Sequence, residues 1–196
     1  MIPAWGRPIA GQALVEGMLA LLLFVLIGAA VAQILWLFGI QQLSQAATLY
    51  AAKQGARTNL ETTSIRFHYG YRMRGIPGVN PALLALDRLH PSDALMTQMS
   101  ERSGSGTQVL TDDFHGPRLQ LLSPEQREAY LDARILTIAV RLCVDLKMPI
   151  AGKLLSSAQA FATGAQPCGW LGYALAAPFE VRTQATVPIE SRVYRP

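Results

Sequence analysis

The sequence predicts an α+β protein: a long, largely apolar N-terminal helix followed by a small mixed head domain with antiparallel strands. Three observations carry that expectation. First, charge is distributed very unevenly. Of 30 charged side chains in 196 residues, only Glu16 falls between Pro8 and Ala52, whereas 28 fall between Lys53 and Pro196. Second, hydropathy follows the same division, with a long, largely apolar run near the N-terminus and an ordinary globular composition after it. Third, three stretches of the remainder, Ile65 to Met73, Ile135 to Val144 and Phe179 to Ile189, alternate with the period of a strand. About 140 residues after the helix are enough to bury one core. This composition excludes a disordered chain, a disulfide-dense miniature scaffold and a multi-span transporter.

The first element is the apolar run Ala13 to Ile40, ALVEGMLALLLFVLIGAAVAQILWLFGI. As a helix it is about 42 Å long, longer than the roughly 30 Å hydrocarbon core of a bilayer. No proline interrupts Ile9 to Ile76, and apolar residues continue at helical spacing through Leu43, Ala46, Ala47, Tyr50 and Ala51. One continuous helix is therefore expected from about Gln12 to Arg57, stopping near Gly55 or Asn59. Its first part is suited to lipid and its last part is amphipathic. Basic residues flank the run only sparsely, Arg7 before it and Lys53 and Arg57 after it, so the positive-inside rule does not orient it. Gly28 and Ala32 form a small-xxx-small pair that admits a neighbouring helix, and Gln33 is placed to hydrogen-bond across such a contact.

Glu16 is the anomaly, because a carboxylate in a membrane helix is costly. One reading leaves it at the headgroup level. The other uses its context, Gly11-Gln12-Ala13-Leu14-Val15-Glu16. If the chain is cut after Gly11, Glu16 is the fifth residue of the product. The new ammonium of Gln12 then lies one helical turn away, on the same or a neighbouring subunit, and neutralises it.

GQALVE, the long apolar run and then AAKQGAR (Ala51 to Arg57) together resemble the TadE-like minor pilin (pseudopilin) family of tight-adherence, type IVc pilus systems. The resemblance covers Gly11 to Arg57. Gly17 stands where that family usually has an aromatic residue, the proline common in its apolar run is missing, and the leader has a single basic residue, Arg7. What the resemblance implies is a short prepilin leader at 1–11, a transmembrane and exit helix at 12–57 and a periplasmic head at 58–196. It implies cleavage between Gly11 and Gln12 by a prepilin peptidase, with Glu16 as the docking carboxylate for other pilin and pseudopilin subunits. It further implies an inner-membrane assembly platform and membrane lipid as partners, and a single-pass location in a bacterial inner membrane with later incorporation into a surface pilus. An alternative of another class is an unprocessed single-pass scaffold or binding protein of a secretion apparatus. A third, secreted reading takes Ala30-Val31-Ala32 before Gln33 as a signal-peptidase site, against the length of the run and the presence of Glu16.

In the remainder, Ile65, Phe67, Tyr69, Tyr71 and Met73 alternate with Arg66, His68, Gly70 and Arg72, predicting a half-buried strand with a basic outer face. PALLALDRL, between Pro77 and Pro91, is a short helix candidate, and Gln108 to Leu110 a short strand in a loop-rich stretch. Ser123-Pro124-Glu125-Gln126 predicts a helix start with a capping box, running to about Ala133. Strands follow at Ile135 to Val144 and Phe179 to Ile189. In the latter, Phe179, Val181, Thr183, Ala185 and Val187 face inward. Lys153 to Ala162 is a helix candidate, and Gly164 to Gly172 a loop that contains Cys168.

No constellation for catalysis is present, and no cofactor is expected. Ser105 sits in SGSGT rather than G-x-S-x-G, and Lys147 stands where a phosphate loop needs its first glycine. Asp112, Asp113 and His115 are a weak metal candidate. The net charge of +4 is too small to suggest nucleic acid as a partner. Cys143 and Cys168 have no zinc-type spacing. In an oxidising compartment they are read as a disulfide, otherwise as two buried thiols.

Overall fold

The computed structural model describes residues 10–102, 108–110, 123–169, 172, 175–190 and 193–195. Its dominant element is α1, Ala10–Gly55, a single helix of 46 residues. The helix ends as the sequence predicts. Its last residue is Gly55, and the turn after it places Asn59 and Leu60 in the left-handed region, at φ 60° and 59°. Asn59 is suited to that region, and its Oδ1 accepts a hydrogen bond from the Tyr194 amide, which fixes the turn.

Two further expectations fail next. Thr62–Met73 is a helix, α2, and not a strand. The alternating apolar set contains a second pattern, Ile65, Tyr69 and Met73 at a spacing of four, and these three are the side chains that are buried. Phe67 and Tyr71 are left exposed, stacked on each other 6.4 Å apart. The basic outer face dissolves with the strand. Arg66 donates to the Leu84 carbonyl, and the Arg72 guanidinium lies 4.1 Å from the centre of the Tyr50 ring. Conversely, the PALLALDRL segment is a strand, β1, Val79–His90. Its helix-favouring leucines and alanines are overruled by a long antiparallel partner. Pro81 is accommodated where pairing is irregular, between Val79 and Leu84.

The remaining elements are α3 (Asp93–Met99), β2 (Glu101–Arg102), β3 (Gln108–Leu110), α4 (Pro124–Ala133), β4 (Ile135–Asp145), α5 (Pro149–Thr163), β5 (Pro178–Pro188) and β6 (Val193–Arg195). Helix α4 begins with the expected capping box, with both reciprocal Ser123–Gln126 bonds formed. Strands β1, β4 and β5 form an antiparallel sheet in the order β1-β4-β5, and β2, β3 and β6 form a second one. In the larger sheet Ile138 faces Ala185, Val140 faces Thr183 and Leu142 faces Val181. That face packs under the C-terminal half of α1 and under α2, and it is the core of the protein. The fold is thus α+β with antiparallel sheets, as the sequence predicts.

Candidate functional site: the exposed half of the N-terminal helix

Helix α1 lives in two environments. From Ala13 to Gly28 every residue is exposed. From Gln33 onward one stripe turns inward: Gln33, Ile40, Ser44, Ala47, Thr48, Ala51, Ala52 and Ala56 are buried. The stripe is built mainly from small residues, so the helix backbone lies close to the sheet. Leu43 and Ala46, read as part of the amphipathic face, lie outside the stripe and are exposed, because Ser44 and Thr48 take the inward positions instead.

Those two hydroxyls are buried without penalty because they are satisfied. Thr48 Oγ1 donates to the Ser44 carbonyl at 2.7 Å and lies 2.7 Å from Thr183 Oγ1, while Ser44 Oγ is 2.8 Å from the Tyr69 hydroxyl. The network joins α1, α2 and β5. Burial pushes the Tyr69 phenol up to about 12 from its ordinary 10.0, and the hydrogen bond to Ser44 works in the opposite direction.

The free edge of β5 is sealed from the same side. Gln41 Nε2 donates to the Arg182 carbonyl at 3.2 Å and Gln45 Nε2 to the Gln184 carbonyl at 2.9 Å. Farther along, the Gln159 amide of α5 donates to the Glu180 carbonyl and accepts from the Glu180 amide, both at 2.8 Å. Three glutamines thereby occupy alternate backbone positions that would otherwise template another strand. Beside them Cys143 and Cys168 form a disulfide with 5.7 Å between Cα atoms, and the Cys168 amide donates to the Glu180 carboxylate. The bridge ties the segment carrying α5 back to β4.

The end of α1 shows why AAKQGAR has its composition. Ala51, Ala52, Gly55 and Ala56 face inward, while Lys53 and Arg57 are exposed and Arg57 pairs with Glu190 at 3.5 Å. A Cβ on Gly55 would lie 2.4 Å from Ile65 Cγ1, so only glycine allows α2 to fold back this tightly.

The residues predicted for processing and docking lie on the free half. Gly11 and Gln12 fall within the first turn of α1, and Glu16 follows one turn after Gln12, exposed. Gly28 and Ala32 are exposed on one side, and a Cβ added at Gly28 would meet nothing within 4 Å, so that face is open to a partner. Gln33 does not share that face; it is turned toward the head and only 4% exposed. Asp112, Asp113 and His115 lie outside the described residues, as does the SGSGT serine Ser105. What sequence reasoning missed is the polar network and the three edge-sealing glutamines. Their signal was present as Ser44-xxx-Thr48 and Gln41-xxx-Gln45 at one-turn spacing, but their partner strand could not be seen from spacing alone. Comparisons with family models, with curated proteins and with solved structures return no match for this chain.

Proposed function

We propose that this chain is a membrane-anchored minor pilin or pseudopilin of a tight-adherence type, whose biochemical work is assembly through α1. The observation that supports it best is the exposed apolar half of the helix. From Leu14 to Ile27 the large side chains stand 38–78% exposed, Phe24 at 78%. Among the described residues α1 is the one helix long and apolar enough to cross a membrane. Such a surface is stable only in lipid or against other apolar helices. A subunit that waits in the membrane and then packs into a fibre meets both conditions in turn. In this reading cleavage follows Gly11, and Glu16 pairs with the new ammonium of Gln12 on a neighbouring subunit. The open Gly28–Ala32 face lets a second helix approach, and the head lies on the periplasmic side of the inner membrane.

The test is a Glu16→Ala variant expressed in the native cell beside the unaltered chain, with intact masses read from both membrane and sheared-fibre fractions. The expected result is membrane insertion of both, a mature N-terminus at Gln12 for the unaltered chain, and loss of the variant from fibres. Normal incorporation of the variant would sink the role of the carboxylate. A chain that retains Met1 and never leaves the membrane would point to the unprocessed scaffold instead.

A further inference from the structure

We infer that α5 is a second membrane-contacting element: its exposed apolar stripe rests in the outer interfacial layer of the bilayer that α1 spans, seating the head on the lipid surface. This rests on the membrane-anchored part of the reading above.

Length comes first. The part of α1 in which every residue is exposed, Ala13 to Gly28, has 16 residues, or about 24 Å at 1.5 Å per residue. A bilayer core of roughly 30 Å needs about 20 residues. Polar Gln12 precedes this stretch and the Glu16 carboxylate favours its interfacial end, so the missing turn must come from the other side. Hydrocarbon therefore reaches past Ala29 and Ala30, which are already partly covered by the head. The covering element is α5. Leu26, Ala30 and Ile34 of α1 face Ile150, Leu154 and Leu155 of α5 across an open, wholly apolar groove of about 390 Å³.

The surface of α5 then points outward to the same medium. Ile150, Leu154 and Phe161 are 59%, 67% and 92% exposed. On a helix of 3.6 residues per turn they fall within about 40° of one another, one continuous stripe. Apolar side chains this large, aligned and uncovered, are unusual on a water-facing helix. Lys147 and Lys153 flank the stripe, exposed, as is common for helices that lie at anionic headgroups. The helix is held rigidly in this pose. Gly152 is buried where a Cβ would lie 2.9 Å from Leu146 Cβ, and Gln159 clamps the β5 backbone from the opposite side.

The experiment uses the full chain reconstituted in vesicles of phosphatidylcholine and phosphatidylglycerol at three to one. Because both cysteines are bridged, a single introduced cysteine can carry a nitroxide. Variants are Leu154→Cys and Phe161→Cys on the stripe, Phe24→Cys on α1 and Glu128→Cys on the exposed side of α4. Relaxation by oxygen, which partitions into lipid, is compared with relaxation by a water-soluble nickel chelate. The expected result is an oxygen-to-nickel ratio severalfold higher at Leu154 and Phe161 than at Glu128, approaching that at Phe24. A lipid-type ratio at Phe24 with a water-type ratio at both α5 positions overturns the inference and leaves the membrane anchor standing. A water-type ratio at Phe24 as well overturns the anchor and the inference together. Protection from both reagents with spin–spin broadening at Leu154 would mean a second copy covers the stripe, and also overturns it.

Discussion

Tyr69 shows how one side chain ties three elements together. Its ring is fully buried beneath α1 while its hydroxyl meets Ser44, which in turn approaches Thr183 at 3.3 Å. Because burial raises the folded-state pKa to about 12 while an unfolded tyrosine titrates near 10, the native state holds this proton more tightly. The associated stability is fully present below pH 10 and is lost as pH rises through 12, by about 2–3 kcal/mol. Thermal unfolding in detergent across pH 9 to 12 should show that decline. A Tyr69→Phe variant should be weaker by about 0.5–1.5 kcal/mol at neutral pH and lack this part of the alkaline loss. An unchanged alkaline slope in Tyr69→Phe would remove Tyr69 as its source. Nothing in the sequence marked Tyr69 for this role, since its partners are 25 residues away in Ser44 and, beyond that, at Thr183.

At the scale of elements, the junction between α1 and α2 is the most constrained point. Gly55 is the last residue of α1, and Ile65 of α2 sits where its Cβ would be. Gly55→Ala should lower stability by about 1–3 kcal/mol through overpacking, even though alanine is the better helix former. The same substitution combined with Ile65→Ala should cost less than the two single changes added together, since alanine removes both the Cγ1 and Cδ1 atoms that the new Cβ meets. Equal stability of the single variant and the unaltered chain would contradict the close approach. The α2 segment also satisfies two periodicities at once. An all-apolar set at 65, 67, 69, 71 and 73 satisfies a strand, and its subset 65, 69 and 73 satisfies a helix. Local periodicity cannot choose between them; docking against α1 does. For β1 the reverse holds, because pairing with β4 from Leu84 to Arg88 overrides intrinsic helix preference.

At the scale of the molecule, α1 is both one wall of the core and a free apolar rod, and the head is organised to hold the one while leaving the other bare. The disulfide serves that arrangement. It closes a loop of 24 intervening residues containing all of α5, and so keeps α5 beside α1. Replacing both Cys143 and Cys168 by alanine should cost roughly 3 kcal/mol by loop-closure entropy, measured as head unfolding in detergent by circular dichroism. An unaltered midpoint would show that packing and the Gln159 clamp suffice without the bridge. The sequence alone determined the long helix, its stop near Gly55, the capped start of α4, and strands β4 and β5. Each of these depends on residues near one another in the chain: an apolar run, a breaker, a cap, an alternation. Only the tertiary structure decided that 62–73 is helix and 79–90 strand, that Ser44, Thr48 and Tyr69 share one buried network, and that α5 lies against α1 around Leu26 to Ile34. Those outcomes are set by partners more than a hundred residues away in several cases, and hydropathy along the chain carries no record of which distant surface a given face will meet.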